Sequence, residues 1–147
     1  MIYKPRHFRI EELVCPHVHD VYKESLLWAF FDERLLMTID FIRDQLGPVT
    51  VNDWHVRQGG FTQRGLRCIR CAIVKKAIKE GRMYFSAHMR GQAVDFNVRG
   101  VDPATVQLFV LQHYQIFPFP IRLEKNTRTW THLDVCNTGT NKVELFI

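Results

Sequence analysis

Leu35, Ile39, Ile42 and Leu46 follow one another at helical spacing, the period of one buried helix face. Gly47-Pro48 supplies a stop, so the pattern predicts a first long helix over 25–46. Ahead of it, Phe8, Ile10, Leu13 and Val14 mark a short segment that packs on the core and ends at Pro16. Behind it, Val49-Thr-Val-Asn52 reads as a short strand, followed by a loop holding Gly59-Gly60 and Gly65. Residues 68–80 predict a second helix, with Ile69, Ala72, Ile73 and Ala77 as its apolar stripe and Gly81 as its C-terminal cap. Residues 93–98, Ala-Val-Asp-Phe-Asn-Val, have the mixed apolar character of a buried strand. Asp102-Pro103 pairs a capping side chain with a proline at the first helical position, and the helix it opens should reach about 114. Two last strands, over 121–125 and 129–136, lie either side of Asn126-Thr-Arg128 and suggest a hairpin.

No internal repeat and no Gly/Ser/Pro linker divides the chain, so residues 1–147 read as a single domain. Helices first and strands mostly later suggest an α+β fold, an antiparallel sheet with helices packed on one face. The length of 147 residues suits one core, and a 46% hydrophobic fraction with eleven Phe can fill it. Disordered, collagen-like and low-complexity classes are thereby excluded. The longest apolar window, 26–31, is cut off by Asp32, Glu33 and Arg34, far short of the ~18–20 residues of a membrane span. The opening Met1-Ile-Tyr-Lys-Pro-Arg-His-Phe has no apolar stretch of the kind a secretory signal needs. The expectation is therefore synthesis in a cytoplasm, with Cys15, Cys68, Cys71 and Cys136 as reduced thiols.

A formal net charge of +5 suits an anionic partner, either nucleic acid or an anionic cell-wall polymer. The basic residues are spread along the chain, without the dense run of a nucleic-acid arm. Charge alone gives a bias and no function.

The chemistry concentrates in Ser86-Ala-His88-Met-Arg-Gly91-Gln-Ala93-Val-Asp95. His88 and Asp95 converge if His88 sits on a loop and Gly91 turns the chain into a strand carrying Asp95. Ala93 shares a strand face with Asp95 and leaves room there for an ion or substrate. In Trp130-Thr-His132-Leu-Asp134, alternation places Trp130, His132 and Asp134 on one face. Two imidazoles and a carboxylate are a borderline-soft set suited to Zn²⁺, and three protein ligands leave one position open, as in catalytic zinc sites. Equally, histidines on strands are often hydrogen-bonded structural groups.

Ser86-x-His88-x2-Gly91-x-Ala93-x-Asp95, with Trp130-x-His132 further along, resembles the zinc D-Ala-D-Ala carboxypeptidase family. That family includes phage L-alanyl-D-glutamate endopeptidases and shares its fold with the Hedgehog signalling domain. The likeness extends more loosely to Phe8-Arg-Ile-Glu-Glu-Leu-Val14 and to Val51-Asn-Asp-Trp54 through Arg64-Gly-Leu-Arg67. It implies zinc ligands at His88, Asp95 and His132, and Arg67 beside the substrate, holding a carboxylate or a developing oxyanion. One departure stands out: many members carry an acidic residue three positions before the last His, where this chain has Thr129. Two carboxylates could take over as general base. Asp134 shares a strand face with His132, although a carboxylate so placed more often orients a ligand. Glu124, the favoured choice, reaches the site if the hairpin sets it opposite Trp130 and diagonal to His132; paired with Thr129, it would point away.

The expectation is a zinc metallopeptidase, a hydrolase acting as a monomer on a peptidoglycan peptide as endopeptidase or carboxypeptidase. Such an enzyme without signal or wall-binding module suits phage lysis or carriage in a virion, with other proteins releasing it to the cell wall. A catalytically inactive, metal-containing module of the same fold is the alternative, favoured by Thr129. A zinc-stabilised nucleic-acid-binding protein built on the cysteines is a third. Cys15-Pro-His17-Val-His19 and Cys68-Ile-Arg-Cys71 could combine into a second, structural zinc site, with Cys136 available. Against it, Cys68 and Cys71 fall in the expected helix, where such residues are commonly small apolar packing groups. His55, near the Gly-rich loop, could line a cleft or face solvent; His7 and His113 read as structural.

Overall fold

In the computed structural model, residues 2–136, 139 and 143–147 are described. The described residues form helices α1 (Pro16–His19), α2 (Glu24–Leu27), α3 (Glu33–Leu46), α4 (Ala72–Lys79) and α5 (Pro103–Gln112), with short 3-10 turns between them. The strands are β1 (Val49–Thr50), β2 (Ala93–Val98), β3 (Arg122–Glu124), β4 (Thr131–Asp134) and β5 (Glu144–Phe146), in the spatial order β1-β2-β4-β3-β5.

Alternation along β2 sorts the molecule into an apolar and a polar side. Val94, Phe96 and Val98 join Leu123 and Leu133 in one buried cluster with Leu35, Ile39 and Ile42 of α3 and Val106 and Val110 of α5. Ala93, Asp95 and Asn97 take the other face. Each fully buried aliphatic side chain here contributes ~1.5–3 kcal/mol. A one-residue slip of β2 against β4 would send Asp95 or His132 towards the helices, so the apolar face fixes the register of the polar one.

The sheet is mixed, against the antiparallel expectation. β4 runs antiparallel to both β2 and β3, but β5 pairs in parallel with β3, through Arg122↔Glu144, Leu123↔Leu145 and Glu124↔Phe146. The cause is topological. β5 begins at the end of the sheet where β4 finishes, and it lies beyond β3, so it repeats the direction of β3. The hydrophobic pattern of the sequence does not predict this strand.

The predicted helix over 25–46 is two helices. α2 runs into a 3-10 turn (Trp28–Phe30), Phe31 is extended, and α3 starts afresh after Asp32, whose side chain accepts a hydrogen bond from Arg34 N. Gly91 explains why the chain breaks there. Asp32 N donates to Gly91 O, and a Cβ on Gly91 would lie 2.0 Å from Phe30 O. The second helix begins at Ala72 instead of 68, and it buries Val74 and Ala77 while Ile69 and Ile73 are exposed. Asp102 caps α5 as its sequence suggested, accepting from Thr105 N at 3.0 Å. Among the described residues, no helix is long and apolar enough to cross a membrane.

Candidate metal centre

Four segments bring the polar face of the sheet to one point. Asp95 on β2 and His132 on β4 are direct cross-strand partners. His88 comes from a 3-10 turn (Ala87–Arg90) that ends at Gly91, whose φ of +65° returns the chain to β2. The fourth segment, 64–67, runs beside both: Asp95 N donates to Arg64 O at 2.7 Å, and Arg67 N to His88 O at 3.1 Å. Gly65 lets that segment lie against the backbone of Leu13, since a Cβ there would be 1.9 Å from Leu13 O.

His88 is held by a 2.9 Å contact between Nδ1 and Gly65 O. A carbonyl only accepts, so Nδ1 carries the proton and the Nε2 lone pair faces the centre. From there His88 Nε2 is 3.3 Å from His132 Nδ1 and 3.4 Å from Asp95 Oδ2. Metal–nitrogen bonds of ~2.0–2.1 Å at tetrahedral angles set edges of ~3.3–3.4 Å between ligand atoms. Two of the three edges therefore match a metal triad. The third, His132 Nδ1 to Asp95 Oδ1 at 2.7 Å, is that of a hydrogen bond.

All three side chains are largely buried, which shapes their protonation. Burial pushes the His88 imidazole below its ordinary range. Burial also opposes charge on His132, yet hydrogen bonds and attraction from Asp134 and Asp95 prevail and raise it to about 9. Against the cost of burial, the hydrogen bond from His132 holds the Asp95 carboxyl well below the usual carboxylate range. A cation already occupies part of the role an ion would fill: Arg67 Nη2 lies 2.6 Å from Asp95 Oδ2.

These residues form one wall and the floor of an open cleft of about 360 Å³ that also includes Ser86, Arg122, Glu124, Trp130, Asp134 and Phe146. It continues past Arg67, Asp95 and Trp130 into a second hollow of about 260 Å³ beside Phe61, Gln63 and Ile73.

Each predicted site residue has a definite place. Arg67 reaches the cleft, but its guanidinium is engaged by Asp95, by Tyr84 Oη at 2.7 Å and by Gln63 O. Asp134 is gripped by Arg122 through two 2.8 Å contacts and stands 3.5 Å from His132 Nε2. Glu124 lies on the cleft side. The hairpin register differs from the expected one: Arg122↔Asp134 and Leu123↔Leu133 carry on to set Glu124 level with His132 instead of Trp130. This two-residue offset preserves the face. Among the described residues, no hydrogen bond or ion pair engages the Glu124 carboxylate. Thr129 is exposed, and its carbonyl accepts from Asn97 Nδ2 at 2.7 Å. His55 packs edge-on to Trp54 and does not line the cleft. His7 gains Asp44 as partner at 2.6 Å.

Arg122 and Phe146 of the cleft, and Tyr84 behind Arg67, belong to no motif of the sequence. Arg122 is nonetheless legible there, because it sits two residues before Glu124 and must share its face. Ser86 stands in the motif without a role there; its Oγ is buried in the cleft wall and has no hydrogen-bond partner. Among the described residues a second group, Cys15, His17, Cys68 and Cys71, also brings its ligand atoms within 4.8 Å of one another, as His88, Asp95 and His132 do. Cys136 is elsewhere, against Arg90.

Comparison with protein-family models, with curated proteins and with solved structures found no match.

Proposed function

We propose that this protein is a zinc-dependent peptidase that hydrolyses a peptide bond of bacterial peptidoglycan, built on a Hedgehog/DD-peptidase-like fold. The observation that carries the reading is the convergence of His88 Nε2, Asp95 and His132 Nδ1 on the floor of an open cleft, beside an unengaged Glu124. Bound there, Zn²⁺ would supply Lewis acidity, polarising a scissile carbonyl and acidifying water towards neutrality. The protein's own groups do the rest. Glu124 takes a proton from the attacking water on its carboxylate and returns it to the departing amine. Asp134, itself fixed by Arg122, orients His132 through Nε2. Arg67 anchors the Asp95 carboxylate and lines the cleft where substrate carboxylates or a developing oxyanion would lie.

The groove extends on both sides of Asp95. That leaves room for peptide on either side of the bond, which favours an endopeptidase over a carboxypeptidase. The likeness to phage endopeptidases supports a role as an endolysin or a virion-carried enzyme. Incubating the purified protein with peptidoglycan, with and without a chelator, and weighing the released fragments tests the reading. New peptide termini that vanish with chelator and return with zinc are expected; an unchanged polymer would refute it.

Thr129, where many members of the resembled family carry an acid, favours a second reading, a metal-containing binding module without turnover. It expects pelleting with peptidoglycan and no fragments.

A further inference from the structure

Three of the four cysteines converge outside the residues that line the cleft. Cys15 immediately precedes α1, and His17 lies within that helix. Cys68 and Cys71 bracket a turn closed by Cys71 N to Cys68 O at 3.0 Å, after which α4 begins at Ala72. The helix that would have made Cys68 and Cys71 mere packing residues is absent at that point.

We propose that Cys15, His17, Cys68 and Cys71 form a second, structural metal site that takes Zn²⁺ and is independent of the function of the cleft. Metal–sulfur bonds of ~2.3 Å at tetrahedral angles give sulfur–sulfur edges of ~3.8 Å. Cys15 Sγ lies 3.7 Å from Cys68 Sγ, and His17 Nδ1 lies 3.8 Å from Cys68 Sγ and 4.0 Å from Cys71 Sγ. Backbone donors point at two of the sulfurs: Cys68 N at Cys71 Sγ and Arg70 N at Cys68 Sγ, both at 3.4 Å. Amides so placed stabilise thiolates and orient them, as outer partners of metal ligands do. Three soft sulfurs and one imidazole nitrogen select zinc over magnesium or calcium, and four protein ligands close the site, the mark of a structural ion. Apolar packing of cysteines gives no reason for an imidazole nitrogen to face them. A disulfide would need ~2.05 Å between sulfurs.

The ion's work would be to tie the start of α1 to the 68–71 turn. Those segments already meet through Cys15 N to Leu66 O at 3.1 Å. Arg67 lies between that contact and Cys68, so the ion would hold the loop that presents Arg67 to Asp95.

The test is metal content of the full chain purified from zinc-supplemented culture. Wild type should carry two zinc ions per chain; H88A/H132A and C68S/C71S should each keep one. Two measurements need no variant. Cobalt-loaded wild type should show thiolate-to-cobalt charge-transfer absorption, and Cys15, Cys68 and Cys71 should resist alkylation until chelator is added. A single zinc that C68S/C71S retains, no cobalt–thiolate band, free alkylation without chelator, or a mass lower by two hydrogens from a disulfide would each overturn the proposal.

Discussion

Asp95 and His132 face one another across the β2–β4 pair, with His132 Nδ1 2.7 Å from Asp95 Oδ1. Asp95 also takes the Arg67 guanidinium, so one buried carboxylate faces two cationic partners. Removing it leaves the buried Arg67 guanidinium without a carboxylate partner and His132 with Asp134 alone. D95A should lower the unfolding free energy of the chelated protein by ~3 kcal/mol or more, with D95N costing less, as read by urea denaturation. Equal stability of D95A and wild type would contradict this placement.

Protonation of His132 gives the centre a definite pH dependence. Its folded value, about 9, lies above its unfolded value of 6.5. Its contribution to the stability of the metal-free protein is therefore fully present below pH 6.5 and is lost as pH rises through about 9. The proton that stabilises the metal-free form must leave before Nδ1 can ligate. Zinc affinity at this centre should therefore rise about tenfold per pH unit until the proton is gone, the mark of one displaced proton. Calorimetry in buffers of different ionisation enthalpy, with H88A/H132A subtracted, reads that proton. A pH-independent affinity between about 6.5 and 8.5 would count against the assignment.

Glu124 and Asp134 should separate by role. On the peptidase reading, E124Q loses a factor of ~10²–10⁴ in kcat while its zinc content and KM stay near wild type. D134N, whose parent carboxylate is gripped by Arg122, should instead weaken zinc retention by ~10–100-fold. Steady-state kinetics on a muropeptide and metal analysis of both variants distinguish the two.

Gly91 carries both a turn and a close approach. Its φ is +65°, and a Cβ at this position would stand 2.0 Å from Phe30 O, which leaves no room for alanine. G91A should cost well over ~1 kcal/mol and lower zinc affinity too, because His88 sits just before the turn. Thermal unfolding and metal titration check both; a variant with wild-type stability would refute the close approach.

Much of the centre is legible in the sequence because its geometry follows from period-two alternation. Asp95, His132 and Asp134 have to share the polar side of the sheet once their neighbours are apolar, and Glu124 joins them by parity even though the register differs by two. The break at Phe31–Asp32 is hidden, because apolar spacing continues across it. Only the contact with Gly91, distant in sequence, reveals why the helix restarts. β5 is equally hidden: its three residues gain strand character only from β3. The Cys15–His17–Cys68–Cys71 group is visible as a spacing, but a helix assignment over 68–80 argues against it. Exposed Ile69 and Ile73 show why that assignment fails, since the apolar stripe runs through Val74 and Ala77.

The most direct test of the central claim is an anomalous difference map, at the zinc edge, of crystals grown with zinc. The account predicts a peak ~2.0–2.2 Å from His88 Nε2, an Asp95 oxygen and His132 Nδ1, with His132 Nδ1 and Asp95 drawn apart from their hydrogen-bond distance. An empty map between these three side chains, with the His132–Asp95 and Arg67–Asp95 contacts intact at saturating zinc, would contradict it.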